Sequence, residues 1–301
     1  MRIKFIIFFY LFLLKSICFG KNDRPDSTNS NSNILNIATW NIQMLPTNFS
    51  FVSKFLQKKQ KTRTPFIIDY CVKHDFDIIV FQEVFDRKIR RKIIQGLNTS
   101  YPYQIYPIKN KKALVSNGLL IVGRIPINYL DHIVFKPGVK ADKYAAKGCV
   151  LFHAQLNDID IHFMGTHLQS GNSSKAISTR KLQYRDIRKL MNRNSKDNNP
   201  FIILGDLNTK KSEKEKYLEM LNILGVSDSE SIFKNLYTFS PENSWNNNSR
   251  PLQLDYILMQ KDNMKLKINW QKVFKPTHLY KGKEMDLADH YLLNAEILVR
   301  K

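Results

Sequence analysis

The sequence predicts an α+β domain with stacked sheets and helices outside. Three observations carry this. Short apolar runs of strand length, rich in Ile, Val, Leu and Phe, recur throughout. They outnumber the stretches of helical character. Several follow one another directly, which fits sheets packed on each other.

Residues 1–20 stand apart from that pattern. Arg2 and Lys4 precede the apolar run Phe5 to Leu14, and the segment closes on Gly20. This is the layout of a secretory signal peptide. The run is shorter than the about 20 residues that span a bilayer. Lys15 disturbs the small, apolar approach that lipidation at Cys18 would need. A secreted, extracellular product is therefore expected. Residues 21–33 (KNDRPDSTNSNSN) lack apolar periodicity and are expected to form a flexible leader. Residues 34–301 show neither an internal repeat nor a second linker, so one catalytic domain is expected there.

Strands are predicted at Ile34 to Trp40, Asp77 to Gln82, Leu114 to Val122, Gly148 to Leu156, Ile159 to Thr166, Phe201 to Gly205, Leu254 to Gln260 and His290 to Val299. Helices are predicted at Pro65 to Lys73, Arg87 to Leu97, Ser173 to Asn192 and Lys214 to Leu224. Pro65 suits a first helical turn, where its absent N–H is not needed. The chain of 301 residues is 43% hydrophobic, enough for a large core and against whole-chain disorder. Eleven Gly and eleven Pro exclude collagen-like and low-complexity classes, and three Cys exclude a disulfide-stapled scaffold. Cys71 and Cys149 either bridge or stay as buried thiols; both readings stand. Sequons occur at Asn48, Asn98, Asn172 and Asn247. The net charge of +21 points to a phosphate-bearing partner, either nucleic acid or a membrane surface.

Polar residues collect at the ends of the apolar runs. Asn41 follows Trp40, and Glu83 follows Gln82. Thr166-His167-Leu168-Gln169 and Gly205-Asp206-Leu207-Asn208 close two more runs. Asp255 opens another, and Asp289-His290 precedes the last. Singly, each reads as a turn residue or a satisfied core histidine. Together they are the inventory for a hard divalent cation plus acid–base work, and the absence of paired Cys favours Mg²⁺-type chemistry over structural zinc.

In this order the motifs resemble the endonuclease/exonuclease/phosphatase superfamily. The matching pieces are Trp40-Asn41-Ile42, Gln82-Glu83, His167-Leu168-Gln169, Asp206-Leu207-Asn208, Asp255-Tyr256 and Asp289-His290. The resemblance implies a four-layered α/β sandwich of the deoxyribonuclease I type, with two mixed sheets flanked by helices. It also implies metal-dependent phosphate-ester cleavage. Within that superfamily the chain resembles the secreted bacterial-type neutral sphingomyelinases, which include haemolysins. Asp142 to Gly148 (DKYAAKG), His167-Leu168-Gln169 and the basic stretch opening at Arg180-Lys181-Leu182-Gln183 carry that likeness. The implied substrate is a membrane sphingolipid, met by peripheral membrane contact, and the implied cofactor is Mg²⁺ (or Mn²⁺ or Co²⁺), as one or two ions. A monomer is expected.

The resemblance also implies roles. Glu83 is the principal metal ligand, with Asn41 beside it and Asp289 and His290 as further ligands. His290 activates the attacking water, close to Asp206. His167 holds the phosphate or protonates the leaving group, and Asp255 orients His167. Asn208 hydrogen-bonds the phosphoryl oxygen. Asn41, Asp142, Lys147 and Gln169 are placed on the substrate side; Lys147 either meets the phosphate or simply pairs with Asp142. Tyr144, Trp245 and Tyr256 are candidate faces for a choline group. Trp270 to Lys275 reads either as an interfacial loop or as an edge strand with charged gatekeepers. Nucleic acid enters only under the alternative of a secreted nuclease, for which Lys58 to Arg63 and Arg87 to Lys92 supply basic clusters. An inositol-phosphate phosphatase lacks a basic motif after Asn208 to cradle ring phosphates.

Overall fold

The computed structural model describes residues 33–46, 54–195, 198–228 and 235–300. The expected signal segment 1–20, and the leader except Asn33, lie outside the described residues, as does the Asn48 sequon. The elements run β1 (Ile34–Met44), α1 (Lys54–Lys73), β2 (Ile78–Val84), α2 (Arg87–Leu97), β3 (Tyr103–Ile105), β4 (Leu120–Gly123), β5 (Asn128–Val134), β6 (Gly148–Leu156), β7 (Ile159–His167), α3 (Ser174–Arg193), β8 (Phe201–Asp206), α4 (Lys214–Leu224), β9 (Val226–Ser227), β10 (Asp255–Gln260), β11 (Leu266–Phe274), β12 (Thr277–Tyr280), β13 (Lys283–Asp286) and β14 (Leu292–Val299).

Two six-stranded sheets form, in the orders β11-β14-β1-β2-β4-β3 and β5-β6-β7-β8-β10-β9. Both are mixed: β1–β2 and β7–β8 are parallel, and the other pairs are antiparallel. Strand side chains alternate between faces. The inward rows, including Ile37, Val80, Phe152, Phe163, Ile202, Leu204, Ile257 and Leu293, make one shared core between the sheets. The outward rows pack under helices. Trp40, Phe81 and Leu120 meet Ile67, Ile89 and Ile93 of α1 and α2. Leu151, Met164 and Ile203 meet Ile187, Leu190 and Met220 of α3 and α4. The layering is helix, sheet, sheet, helix, as expected from the resemblance.

α2 shows how local sequence sets these pieces. Asp86 caps it by accepting from the N–H groups of Lys88 and Ile89, and Ile89, Ile93 and Leu97 recur on the buried face. Other elements depart from expectation. α1 starts eleven residues earlier than predicted, so Pro65 lies in its interior. Tertiary anchors offset the lost backbone hydrogen bond: Gln60 Nε2 donates to the carbonyls of Gln43 and Leu45, and the Arg63 guanidinium donates to those of Gln43 and Leu287. Of the run Leu114 to Val122, only the part from Leu120 is strand; Asn117 holds the rest as a loop by accepting from the N–H groups of Ile108 and Leu119. β5 escapes the period-two pattern because its pairing with β6 slips between Tyr129 and Asp131. Trp270 to Phe274 belongs to β11, the edge strand of the first sheet, with Lys267 and Lys272 exposed. The gatekeeper reading therefore holds and the interfacial loop does not. No helix among the described residues is long and apolar enough to cross a membrane.

Cys71 lies in the cluster beneath α1 and α2, whereas Cys149 lies in the one beneath α3 and α4. Both thiols are free and buried, so the bridge left open by the sequence does not form. Both should resist alkylation in the native protein and react fully after unfolding without a reductant. Peptide mapping checks this; a pair that reacts only after reduction would contradict the structure.

Candidate active site

The inward rows of the strands lead directly to the polar cluster. One or two positions past the last core side chain they carry Asn41, His167, Asp206 and Asp255. Register then sets these residues side by side: His167 pairs with Asp206 across β7–β8, and Asp206 with Asp255 across β8–β10. Gly205 permits the close parallel pairing. Its φ is +148°, and a Cβ there would lie 1.9 Å from the Thr166 carbonyl oxygen.

Asp255 Oδ2 meets His290 Nδ1 at 2.7 Å, and His290 Nε2 lies 3.9 Å from Asp206 Oδ2. This corrects the expectation that Asp255 orients His167. The β8–β10 pairing puts Asp255 beyond Asp206 from His167, next to the segment before β14 that brings in His290. Trp40 Nε1 donates to the His290 carbonyl, which fixes that segment from the other sheet. Burial alone would lower the His290 pKa. The carboxylates of Asp255, Asp206 and Asp289 outweigh burial and hold it well above the usual histidine range.

His167 has the opposite character. Its Nε2 lies 3.0 Å from Lys147 Nζ and 3.4 Å from Asp206 Oδ2. Burial first, then Lys147 and His290, push its pKa well below the usual range. A lysine ammonium only donates, so Nε2 accepts and the ring proton sits on Nδ1. Lys147 also donates to the Leu168 carbonyl at 2.7 Å and pairs with Asp142 Oδ1 at 2.9 Å. The two readings of Lys147 therefore coincide: it pairs with Asp142 and reaches the site. Asp142 and Gln169 stand behind it as a bracket. Asp142 Oδ2 accepts from Gln169 Nε2 and from the backbone and hydroxyl of Ser170. Gln183 Oε1 and Arg180, both on α3, tie down the same loop through the Gln169 N–H and carbonyl. Asn208 donates its backbone N–H to Asp206 Oδ1 and its amide to the Leu168 carbonyl.

The first sheet supplies the other wall. The Asn41 amide donates to Glu83 Oε1 and to Asp206 Oδ2, each at 3.2 Å, bridging the two sheets. Its oxygen accepts from the Gln43 N–H, so it presents N–H groups to the carboxylates rather than a ligand oxygen. Gln43, in the bulge of β1 at φ 49°, also donates to Asp289 Oδ2 at 2.7 Å. Sequence reading missed this residue, because a bulge has no signature in hydrophobic alternation. It missed Phe239 as well, whose ring meets His290 edge-on at 5.0 Å. Glu83 has φ 59° and Asn208 φ 50°, so three non-glycine residues at the site adopt left-handed backbone.

Burial pushes the Glu83 carboxyl up to about 7, with Asp289 adding to the effect, and the Asp206 carboxyl up to about 6, with Asp255 adding. Burial raises Asp289 too. Asp255 Oδ1 and Asp289 Oδ1 are buried without a hydrogen-bond partner. An all-oxygen set of crowded carboxylates suits a hard cation. Glu83 and Asp206, both hydrogen-bonded to the Asn41 amide, could contribute ligands to one. Asp206, Asp255 and His290 also bring potential ligand atoms within 4.8 Å of one another. The short Asp255–His290 hydrogen bond already commits Nδ1, which favours proton handling for that pair. Of the aromatic candidates, Tyr256 is fully buried under α4 and donates to the carbonyls of Thr209 and Gln253, so it offers no face to a ligand. Trp245 carries Lys59 and Arg63 over its ring, at 4.3 and 4.7 Å. Tyr144 remains exposed.

The corrected pairing is testable by NMR titration of the histidines in metal-free protein. Asp255→Asn should lower the pKa of His290, by removing the carboxylate that favours its charged form, and move His167 less and upward, because a less charged His290 depresses it less. A response at His167 alone would contradict the geometry.

Comparison with known proteins gives a consistent picture. The family model described as Endonuclease/Exonuclease/phosphatase family matches residues 38–268. Sphingomyelinase C 2 of Leptospira interrogans serogroup Icterohaemorrhagiae serovar Lai (strain 56601) is 29% identical over 300 residues, covering 90% of this chain and 47% of that protein. The chain spans about half the length of the two Leptospira relatives it matches, 47% and 50%. Sphingomyelinase C of Bacillus cereus is 26% identical over 328 residues, covering 93% of this chain and 94% of the relative. The crystal structure of a Staphylococcus aureus beta toxin variant with bound magnesium ions superposes with a TM-score of 0.72 at 26% identity, covering 89% of this chain and 99% of that one. Sequence motifs, layer order and the strand-end cluster thus agree with the match over residues 38–268: the chain belongs to the endonuclease/exonuclease/phosphatase family.

Proposed function

We propose that the chain is a secreted, divalent-metal-dependent phosphodiesterase that hydrolyses sphingomyelin to ceramide and phosphocholine, working as a monomer in peripheral contact with a lipid surface. The observation that carries the reading is the placement of two unlike histidines on opposite sides of Asp206. His290 lies towards β10 and His167 on β7, flanking the central carboxylate. Phosphodiester displacement wants such an arrangement, with attack on one side and departure on the other. The likeness to the Bacillus sphingomyelinase over nearly its whole length supports the substrate class.

Glu83, with Asp206 and Asp289 near it, would hold a Mg²⁺, and the magnesium in the beta toxin relative supports that choice. When bound, such an ion polarises a phosphate oxygen and steadies the leaving alkoxide. His290 takes the proton of the attacking water at Nε2, while Asp255 fixes its tautomer through Nδ1. Neutralising Asp206 and Asp289 would weaken the field that keeps His290 protonated, in the direction a base at neutral pH requires, while Asp255 stays in place to orient it. Lys147, held by His167, the Leu168 carbonyl and Asp142, lends positive charge to the opposite wall, where the Asn208 amide can donate to a phosphoryl oxygen. Phe239, beside His290, offers aromatic surface to the head group, whereas the exposed Tyr144 ring already carries Lys143 Nζ at 4.8 Å.

Phosphocholine release from sphingomyelin with Mg²⁺, set beside nicking of supercoiled plasmid, tests the proposal. Glu83→Gln and His290→Ala should each lower hydrolysis on the order of 10²- to 10⁴-fold while circular dichroism stays unchanged. Plasmid nicking without lipid hydrolysis would establish the nuclease reading that the +21 charge favours. A second expectation concerns the metal. EDTA should abolish hydrolysis and added Mg²⁺ should restore it; full activity in EDTA would refute metal dependence.

A further inference from the structure

The basic cluster at Arg87 to Lys92 plays no part in the chemistry above, yet its placement is not that of an ordinary solvated helix face. Arg87, Arg90 and Arg91 stand at i, i+3 and i+4 of α2, where like charges repel and cost helix stability. Arg87 and Arg90 line a groove of about 350 Å³ together with Lys109. An adjoining hollow of about 330 Å³ adds Arg91 and Tyr106. Among the described residues, none of these four cations forms an ion pair with a carboxylate. Asp86, the nearest acid, is committed to the helix cap. Arg90 is half-buried, and its guanidinium reaches only the Val84 carbonyl and the Ser116 hydroxyl, at 3.4 and 3.3 Å. Burial and then the neighbouring Arg87 disfavour its charge, and Asp86 offsets them only in part. Among the described residues four cations share these hollows with the single carboxylate of Asp86, which leaves a net positive concavity suited to an anion from outside.

Location and rim narrow the class. The groove's lining includes Phe85, two residues after Glu83, and Val115, which bridges Ala145 two residues before Lys147, so it adjoins the segments that carry the active site. Tyr106 (57% exposed) and Leu114 (60% exposed) border the cations. Aromatic and aliphatic side chains next to arginines are the composition of a membrane–water interface. Guanidinium forks suit phosphate oxygens. We infer that the Arg87–Arg90–Lys109 groove and its Arg91–Tyr106 extension dock the phosphate head group of an anionic phospholipid beside the active site. This rests on the reading that the substrate lies in a bilayer. It adds that the enzyme is recruited by a lipid it does not cleave.

The test uses the full chain in EDTA with phosphatidylcholine vesicles, with and without phosphatidylglycerol and free of sphingomyelin. Partitioning is measured by sedimentation. Arg87→Gln/Arg91→Gln/Lys109→Gln should weaken binding to the anionic vesicles on the order of 100-fold, at about tenfold per 1.4 kcal/mol and about 1 kcal/mol per basic residue at the surface. A charge-matched control, Lys189→Gln/Lys261→Gln/Lys265→Gln, removes cations towards the opposite strand ends. It should stay within about threefold of the parent, because charges beyond a Debye length are screened. Both triple variants should hydrolyse detergent-dispersed sphingomyelin at the parental rate, which also shows that they fold. Equal losses in the two variants would overturn the docking site and leave only diffuse attraction. Groove-dependent binding of inorganic phosphate alone as tight as that of the anionic vesicles would overturn the lipid assignment. So would a groove variant that loses affinity for duplex DNA while keeping its vesicle binding. A parent that binds anionic vesicles through the groove yet cleaves no sphingomyelin would sink the enzymatic reading alone.

Discussion

Carboxylates that share a water-poor cleft repel one another and resist losing their hydration, and the rest of this site is arranged around that constraint. Glu83, Asp206, Asp255 and Asp289 come from four separate segments and meet at the facing ends of two sheets. Each is offset differently. His290 takes up Asp255, and the Asn41 amide lies between Glu83 and Asp206. Gln43 holds Asp289, and the field of buried Arg63 reaches both Asp289 and Glu83. The compensation is incomplete, since oxygen atoms of Asp255 and Asp289 stay unpartnered and the Glu83 and Asp206 carboxyls are pushed well above their ordinary range. That residual tension makes the cluster a receptor for a divalent cation.

The two histidines show how one chemical group is set to two tasks by its surroundings. Both are buried. One faces three carboxylates and is held charged; the other faces a lysine and is held neutral. Their difference depends on strand order, because Asp255 and Lys147 approach the Asp206 strand from opposite sides. The bracket formed by Asp142, Gln169, Ser170 and Arg180 keeps Lys147 where it discriminates between them.

Much of this was legible in the sequence, for a physical reason. Strands buried on both faces leave continuous apolar runs, so the residues closing those runs stood out, and they form the cluster. The layer order followed from the resemblance. Features that depend on local deviation were not legible. Pro65 marked a false helix start because buried Gln60 and Arg63 anchor the preceding turns from a distance. Gln43 was silent because its importance comes from a bulge. Asp255 was assigned to the wrong histidine because order along the chain does not reveal which strand lies between two others. Tyr256 looked available because an outward row covered by a helix resembles, in sequence, one open to solvent.

The first strand of the domain is closed by the last. β1 pairs with β14 from Ile34–Leu298 to Thr39–Leu293, and the Trp40 indole holds the His290 carbonyl across 250 residues of chain. A polypeptide emerging from a ribosome holds Glu83, His167 and Asp206 before it holds His290, the residue needed to complete the site. The site is therefore complete only with the C-terminal strand in place, since that strand's pairing with β1 and the Trp40 indole fix His290.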